Sequence, residues 1–181
     1  FLVSRKAKSI TIFVGKGNNG EDGLCLAALL KIENIKTHVI DLEYESRPES
    51  QAYKLCIDLG IKIERFNRNK IPSSDWYVDG VFGIGLNRDL QGNYLRAINY
   101  LQCSQSKKIL SLDLPSGLDG SKGIIFNSAV KATATITFLT LKPGLFIDKA
   151  CDYTGVIYFD NLGISKLGYK PDMKAISKET I

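Results

Sequence analysis

The chain has 181 residues, of which 44% are hydrophobic and 24% are charged, with a formal net charge of +5. This length fits one domain with a substantial core, and the composition excludes low-complexity and collagen-like classes. Basic residues are spread along the chain, as at Lys62, Lys107 and Lys166, so we interpret the charge as solvated surface and expect no nucleic-acid partner.

Hydrophobic periodicity predicts alternating strands and helices from the N-terminus onward. Strands are predicted at 10–14, 37–42, 62–66, 76–82, 108–114, 133–139 and 155–159. Helices are predicted at about 23–33, 48–59 and 92–103. Alternation of this kind is typical of a parallel sheet, and two of the strands are apolar enough to be covered on both faces. We therefore predict an α/β fold, a three-layer α/β/α sandwich with a Rossmann-like, mostly parallel sheet, in one domain spanning 1–181.

The C-terminal part of the pattern is less regular. No long helix separates the last two predicted strands, so we expect the C-terminal edge of the sheet to be mixed or antiparallel. Residues after about Gly163 are polar and weakly periodic, which indicates a short edge element or a tail. The longest apolar runs have about seven residues, against the roughly twenty of a membrane-spanning helix, so no membrane partner is expected.

The cysteines and the histidine indicate no metal or redox centre. Cys25, Cys56, Cys103 and Cys151 lie far apart without a CxxC spacing, so we predict buried thiols in a reducing compartment and a cytoplasmic protein. His38, the only histidine, lies in an apolar stretch and is expected to be structural. A histidine-based triad or a zinc site is therefore not expected.

The segment 15–23 joins the first strand to the first helix. Glycines there are expected to let the backbone turn sharply, while free amides at the helix start point at a ligand. Asn18, Asn19 and Asp22 add oxygens, and Glu21 beside Asp22 indicates a ligand with hydroxyl or amide groups, or a cation, as well as phosphate. The alternative is a capped turn in which these side chains only satisfy helix amides.

Two further loops, 79–89 and 113–119, leave the ends of hydrophobic strands. Gly83 and Gly85 would let the backbone wrap a phosphate that Arg88 contacts, or they form a plain glycine-rich turn with a surface arginine. Asp113 is a candidate general acid or base, or it ties down the turn that follows it. Because ligands bind at the carboxyl ends of parallel strands, we expect the three loops to meet. Asp119 is expected at the same rim.

A cation site is a further candidate at this edge of the sheet. Asp79 and Ser116 are hard oxygen donors at strand ends, and with the Asn19 side chain they could hold a monovalent or divalent cation. Alternatively Asp79 caps a helix and Ser116 shapes a turn.

The motifs together resemble a known family, the YjeF N-terminal domain or NAD(P)HX epimerases. Gly15-Lys-Gly-Asn-Asn-Gly-Glu-Asp-Gly23 is similar to the family pattern GxGNNGGDG, and 79–88 is similar to DxxFGxGLxR. Residues 113–119 resemble DxPSGxD, and 137–144 resemble TFxxxKPG. The four blocks follow the family order over nearly the whole chain.

The resemblance implies a Rossmann-like, commonly dimeric enzyme that interconverts the R and S epimers of hydrated NADH and NADPH, which carry a hydroxyl at C6 of the nicotinamide ring. It implies a potassium ion held by Asn19, Asp79 and Ser116, with Asp113 as the catalytic residue. The substrate would contact Asn18, Asn19, Gly20, Glu21, Asp22, Gly83, Ile84, Gly85, Leu86, Asn87, Arg88, Asp89 and Asp113.

Some positions depart from the family pattern. Glu21 replaces a family glycine and would add a side chain and a negative charge to the substrate loop. Some animal members carry a lysine linked to catalysis in the second loop, where this chain has Asn87 and Arg88, so that role is absent or taken by Arg88. Bacterial members are often fused to a C-terminal ATP- or ADP-dependent dehydratase, so the chain could be half of a bifunctional protein.

Two competing functions stay open. The domain could be a non-catalytic module that binds nucleotides or RNA metabolites, against which the joint presence of Asp79, Asp113 and Ser116 argues. It could also be a nucleotide-binding enzyme of another class. Simple hydride transfer is disfavoured, because a clean GxGxxG dinucleotide fingerprint is not present.

Overall fold

A computed structural model describes residues 1–47, 50–103 and 107–164 of the chain. Seven strands form one sheet in the order β3-β2-β1-β4-β5-β6-β7, and every neighbouring pair is parallel. The strands are β1 (Ser9–Val14), β2 (Lys36–Asp41), β3 (Lys62–Arg65), β4 (Trp76–Gly80), β5 (Ile109–Leu112), β6 (Ala134–Phe138) and β7 (Val156–Asp160). The predicted α/β sheet is thus confirmed, with each strand within about two residues of its predicted limits.

The C-terminal edge of the sheet is parallel, so the expectation of a mixed or antiparallel edge was wrong. β6 pairs with β7 in parallel register from Ala134 and Val156 to Phe138 and Asp160. Two 3-10 turns and the four-residue helix α4 (Cys151–Thr154) return the chain to the start of the sheet. A succession of short turns therefore replaces the long crossover helix that the prediction required. The tail predicted after Gly163 lies almost entirely outside the described residues.

The helices cover both faces of the sheet. Helix α1 (Asn18–Ile32) and helix α2 (Gln51–Asp58) pack on one face, where Leu24 and Cys56 join the core that contains Ile12. Helix α3 (Gly92–Gln102) covers the other face, where Ile98 packs in the core that contains Phe13. These two cores give the predicted three-layer arrangement. No helix of the described residues is long and apolar enough to cross a membrane.

Helix α1 begins at Asn18, more than one turn before the predicted start at 23. Gly20 and Gly23 lie inside this helix and serve close packing rather than a turn. A Cβ on Gly20 would lie 1.9 Å from the Gly15 carbonyl oxygen, and one on Gly23 would lie 2.8 Å from Val14 Cγ1. The segment 18–23 is therefore the first part of a helix seated directly on the sheet.

The cysteines differ from the prediction of buried thiols. Cys56 is buried, whereas Cys25, Cys103 and Cys151 are exposed, and all four are free. Three of the four predictions were wrong because single cysteines in amphipathic or loop segments carry no periodic signal of burial. His38 has a structural contact, because its Nε2 lies 2.7 Å from Glu64 Oε2 across the β2–β3 pair.

Candidate functional site

A large cavity lies at the carboxyl ends of β1, β4, β5 and β6. Its walls there include the start of α1, residues 81–86, Asp113 and residues 138–140. It continues along α1 to Leu29 and to residues 1–3, with a total volume of about 1190 Å³. The sheet order reverses between β1 and β4, which is where open parallel sheets bind their ligands. The cavity exceeds the roughly 300–1,000 Å³ of common small-molecule pockets, so its size suits a ligand as large as a dinucleotide.

The structure brings most of the predicted substrate residues to this cavity. Those that line it are Asn18, Asn19, Asp22, Gly83, Ile84, Gly85, Leu86 and Asp113. Gly20, Glu21, Asn87, Arg88 and Asp89 do not line it. Arg88 is exposed, and Asp89 accepts a hydrogen bond from the Asn127 backbone amide at 3.1 Å. Asp119 accepts from the amides of Ser121 and Lys122 at 2.8 Å, so its carboxylate stabilises a turn.

Glu21 turns away from the cavity to a residue that the sequence did not indicate. Its Oε1 lies 3.1 Å from Nη1 of Arg47, whose side chain is 2% exposed. The same guanidinium donates to Asp41 Oδ2 at 2.5 Å and to the Gly15 carbonyl at 2.5 Å. Arg47 therefore neutralises the added charge and holds Glu21 outside the cavity. No motif marks Arg47, because its partners lie on three separate segments.

Asp79 lies buried at the bottom of the site. The residue has no exposed surface, and its carboxylate accepts hydrogen bonds from Ser116 Oγ at 2.5 Å, the Ser116 amide at 2.8 Å and Ser111 Oγ at 2.9 Å. Burial raises the pKa of Asp79, while these donors oppose the rise. Ser116 Oγ also accepts from the Phe82 amide at 2.8 Å. Asp79 and Ser116 thus join the second and third loops.

Asn19 contributes an unsatisfied amide near the second loop, because a Cβ built on Gly83 would lie 3.7 Å from Asn19 Cβ. The residue is 7% exposed, and neither Nδ2 nor Oδ1 has a hydrogen-bond partner within the part of the chain that the structure describes. A buried polar group without a partner is costly, which points to a ligand at this position. Asn19, Asp79 and Ser116 offer amide, carboxylate and hydroxyl oxygens, the donor types that hard cations prefer. These residues therefore fit an alkali cation.

The same part of the chain offers no cluster for a softer metal. Among residues 1–47, 50–103 and 107–164, no group of three or more His, Cys, Asp or Glu side chains could hold a metal ion.

Asp113 lies one residue beyond β5 in a strained conformation. Its φ is +63°, and the Leu114 amide donates to the Leu112 carbonyl at 2.8 Å, as in a classic γ-turn. Its side chain is 16% exposed and forms an ion pair with Lys142 through Oδ1. The other oxygen, Oδ2, faces the second loop, because a Cβ built on Gly83 would lie 3.0 Å from it. Non-glycine residues rarely adopt this backbone, and such strain is concentrated at functional sites.

Asp22 shares this region of the cavity with Asp113. Burial raises the pKa of Asp22, and the negative charges of Asp113 and Glu21 raise it further. Asp22 and Asp113 therefore differ in character, because of these two only Asp113 has a direct cationic partner within the described residues.

Comparison with known proteins places this arrangement in one family. A family model described as "YjeF-related protein N-terminus" matches residues 1–144. A protein of Lentilactobacillus buchneri named NAD(P)H-hydrate epimerase is 34% identical over 161 residues, covering 86% of this chain and 73% of its own. A Coxiella burnetii protein named bifunctional NAD(P)H-hydrate repair enzyme Nnr is 34% identical over 167 residues, covering 89% of this chain and 33% of its own.

The fold has a solved counterpart as well. The crystal structure of the yeast protein YNL200c superposes with a TM-score of 0.72 at 19% identity, covering 91% of this chain and 75% of the yeast chain. The chain thus spans about a third of the Coxiella burnetii relative and about three quarters of the Lentilactobacillus buchneri relative. Motifs at the strand ends, the family match and the shared fold agree, and this chain belongs to the YjeF N-terminal domain family.

Proposed function

We propose that this chain is an NAD(P)H-hydrate epimerase, an isomerase that interconverts the R and S epimers of hydrated NADH and NADPH. Relatives that carry this name align over most of the chain. The observation that carries the proposal is the Asp113 carboxylate, held in strained backbone with one oxygen facing a cavity large enough for a dinucleotide. The reaction needs an acid and a base, and neither role requires a histidine or a thiol.

The proposed chemistry is a reversible loss and return of water. Protonated Asp113 gives its proton to the C6 hydroxyl of the substrate, the C6–O bond breaks with its electron pair on oxygen, and water leaves. The ring nitrogen then shares its lone pair with C6 and carries the positive charge as an iminium. Water adds to the opposite face of C6, and Asp113 takes back the proton. Atoms and charge are conserved, and the product is the other epimer.

The start of α1 supplies contacts for the phosphates. Its first turn has free backbone amides, because Gly17 precedes the helix without a side-chain cap. Asn18 and Asn19 line the cavity at this helix start, and Lys16 adds a positive charge there. The N-terminus of a helix favours an anion through its free amides and its dipole. We therefore place the pyrophosphate of the substrate at this end of the cavity.

We further propose that Asn19, Asp79 and Ser116 hold the potassium ion of the family. The support is the unsatisfied Asn19 amide together with the fully buried Asp79 carboxylate, on segments that meet because a Cβ built on Gly80 would lie 3.1 Å from the Asn19 carbonyl oxygen. A bound cation would satisfy the Asn19 oxygen, balance the charge of Asp79 and lower the pKa that burial raises. In this proposal the ion stabilises the loops that carry Asp113 and Gly83.

The activity is tested by proton NMR of a purified epimer of hydrated NADPH, with and without the protein. We expect the C6 proton signals of the two epimers to reach equilibrium far faster with the protein in potassium buffer than in lithium buffer. An unchanged exchange rate, together with measurable binding of NADPH, would instead support the alternative of a non-catalytic module of the same fold.

A dehydratase is the proposed partner activity, in the same polypeptide or as a separate protein. The support is the match to one third of relatives named bifunctional repair enzymes. A dehydratase that accepts one epimer would consume the whole hydrate pool only when this chain is added. We also propose that the chain forms a homodimer, as the family resemblance implies. Light scattering of the purified chain tests this proposal.

A further inference from the structure

We propose that Lys142 is a positioning residue for the epimerase reaction, which orients the Asp113 carboxylate and keeps it a stable anion after it has given up its proton. This inference rests on the proposed epimerase function. Lys142 lies in the fourth sequence block, 137–144, to which the sequence alone assigned no role. Its side chain reaches the catalytic cavity and is 12% exposed.

The ammonium group of Lys142 is fully used by the protein. It donates to Thr137 Oγ1 at 3.0 Å, to the Phe138 carbonyl at 2.7 Å and to Asp113 Oδ1. A lysine ammonium has three N–H donors, so these three acceptors saturate it. No donor is left for the substrate. Lys142 therefore acts through Asp113 and not by direct contact with the reacting ring.

The contact makes the two oxygens of Asp113 unequal. Oδ1 faces Lys142, and Thr137 Oγ1 lies 3.4 Å from the same oxygen. Oδ2 lies close to Gly83 of the second loop. A carboxylate held at one oxygen cannot rotate freely about its Cβ–Cγ bond, so the other oxygen keeps a constant direction toward the ligand. Such pre-orientation is a main source of catalytic rate.

The backbone on both sides of Lys142 is anchored. Leu139, just after β6, has a φ of +64°, and the Thr140 amide donates to the Phe138 carbonyl at 2.7 Å. On the other side, the Gly144 amide donates to the Gly120 carbonyl at 2.8 Å, and a Cβ on Gly144 would lie 2.2 Å from the Asp119 carbonyl oxygen. Glycine at 144 thus allows the close contact with the third loop that brings Lys142 to Asp113.

The charges around the cavity show why Asp113 needs this partner. Asp22 and Glu21 lie nearby, and Glu21 is already paired with Arg47. When Asp113 releases its proton, it becomes an anion beside Asp22 and in a half-buried position. Lys142 offsets that repulsion, and the anion then lies between the ammonium and the positive ring of the intermediate. Arg88, which was one of two alternatives for the lysine role of some animal members, is exposed and does not line the cavity.

The test is a double-mutant cycle on epimer exchange. Lys142→Met should lower kcat about 100-fold and change KM less than about threefold, since positioning and charge affect proton transfer rather than binding. Asp113→Asn combined with Lys142→Met should be no slower than Asp113→Asn alone, because Lys142 acts through that carboxylate. The control Lys131→Met removes an exposed lysine that lies outside the cavity walls and should leave kcat unchanged.

Each outcome bears on a different claim. Absence of exchange in the wild-type protein would overturn the epimerase function itself. Normal exchange in the wild type together with a near-normal rate in Lys142→Met would overturn only the role of Lys142. That role would also be overturned if the rate losses of Asp113→Asn and Lys142→Met, expressed as free energies, added fully in the double variant. Where Lys142→Met does not fold, Lys142→Ala in ethylammonium chloride decides the question. Recovery of rate with increasing ethylammonium supports the role, and no recovery overturns it.

Discussion

Two aspartates at the ends of neighbouring strands, Asp79 on β4 and Asp113 just past β5, have opposite environments. Asp79 is fully buried and accepts four hydrogen bonds, from Ser111 Oγ, from Ser116 Oγ and its amide, and from the Val81 amide. Asp113 is partly exposed, strained in its backbone and paired with one lysine. A carboxylate inside the strand end thus becomes part of the scaffold, whereas one just beyond it can face a ligand.

The energetic roles differ in the same way. The donors around Asp79 offset the cost of burying a charged group, so this aspartate joins β4, β5 and the third loop. Asp113 has a left-handed backbone that costs about 1–2 kcal/mol for an ordinary residue, and its neighbours maintain it. We expect changes at Asp113 to affect rate and changes at Asp79 to affect stability.

The largest expected effect is on catalysis. Asp113→Asn should reduce the rate of epimer exchange about 10³-fold, because it removes the proposed proton carrier. The fold should persist, since asparagine tolerates positive φ. Exchange is measured by NMR and NADPH binding by calorimetry, with the turn-capping Asp119→Asn as control. An exchange rate equal to wild type would remove Asp113 from the mechanism.

Asp79→Ala should mainly lower stability. The buried donors of Ser111 and Ser116 would lose their acceptor, so the free energy of unfolding should fall by about 3 kcal/mol in urea titration. Asp58→Ala, at an exposed position without a side-chain hydrogen bond or ion pair among the described residues, should cost less than about 0.5 kcal/mol. Equal losses for the two variants would contradict the structural role of Asp79.

Asp79→Asn probes the proposed cation. It keeps an acceptor for the serines but removes the charge that would attract potassium. The wild-type Tm should rise more in potassium chloride than in equal lithium chloride, and this difference should disappear in Asp79→Asn. A wild-type Tm that does not distinguish the two salts would argue against the potassium site.

A smaller effect is expected at the loop opposite Asp113. In Gly83→Ala, the new Cβ would lie 3.0 Å from Asp113 Oδ2 and should displace the carboxylate, slowing exchange about tenfold. Gly85→Ala is the matched control, because its Cβ would meet nothing within 4 Å. Equal rates in the two variants would show that the position of Asp113 Oδ2 does not depend on the space left by Gly83.

The smallest effect is electrostatic and depends on pH. The raised pKa of Asp22 means that ionising it destabilises the folded state, so the penalty develops as pH rises above 3.8 and is complete above the folded pKa. Asp22→Asn should therefore stabilise the protein at pH 7, by no more than about 0.5 kcal/mol because the group is exposed. Thermal melts should show no gain well below pH 3.8. A gain that persists there would have another cause.

Prediction from sequence succeeded where local pattern and tertiary structure coincide. Apolar periodicity predicted all seven strands, and it was clearest at β1, β4 and β5, where burial on both faces demands nearly continuous apolar runs. The start of α1 was missed because Gly20 and Gly23 suggest a turn in sequence, although they allow close packing on the sheet. The parallel β7 was missed because its crossover consists of short turns.

The sequence by itself determined the positions of the strands, their alternation with helices and the loops that carry the candidate site. Strand ends and motif residues are local properties of the chain. Only the tertiary structure decided the partners of the charges. Arg47 meets Glu21 across 26 positions and Lys142 meets Asp113 across 29, and no local pattern records such pairs. Contacts between distant segments depend on how the strands are ordered and packed, which sets the charge and direction of each carboxylate.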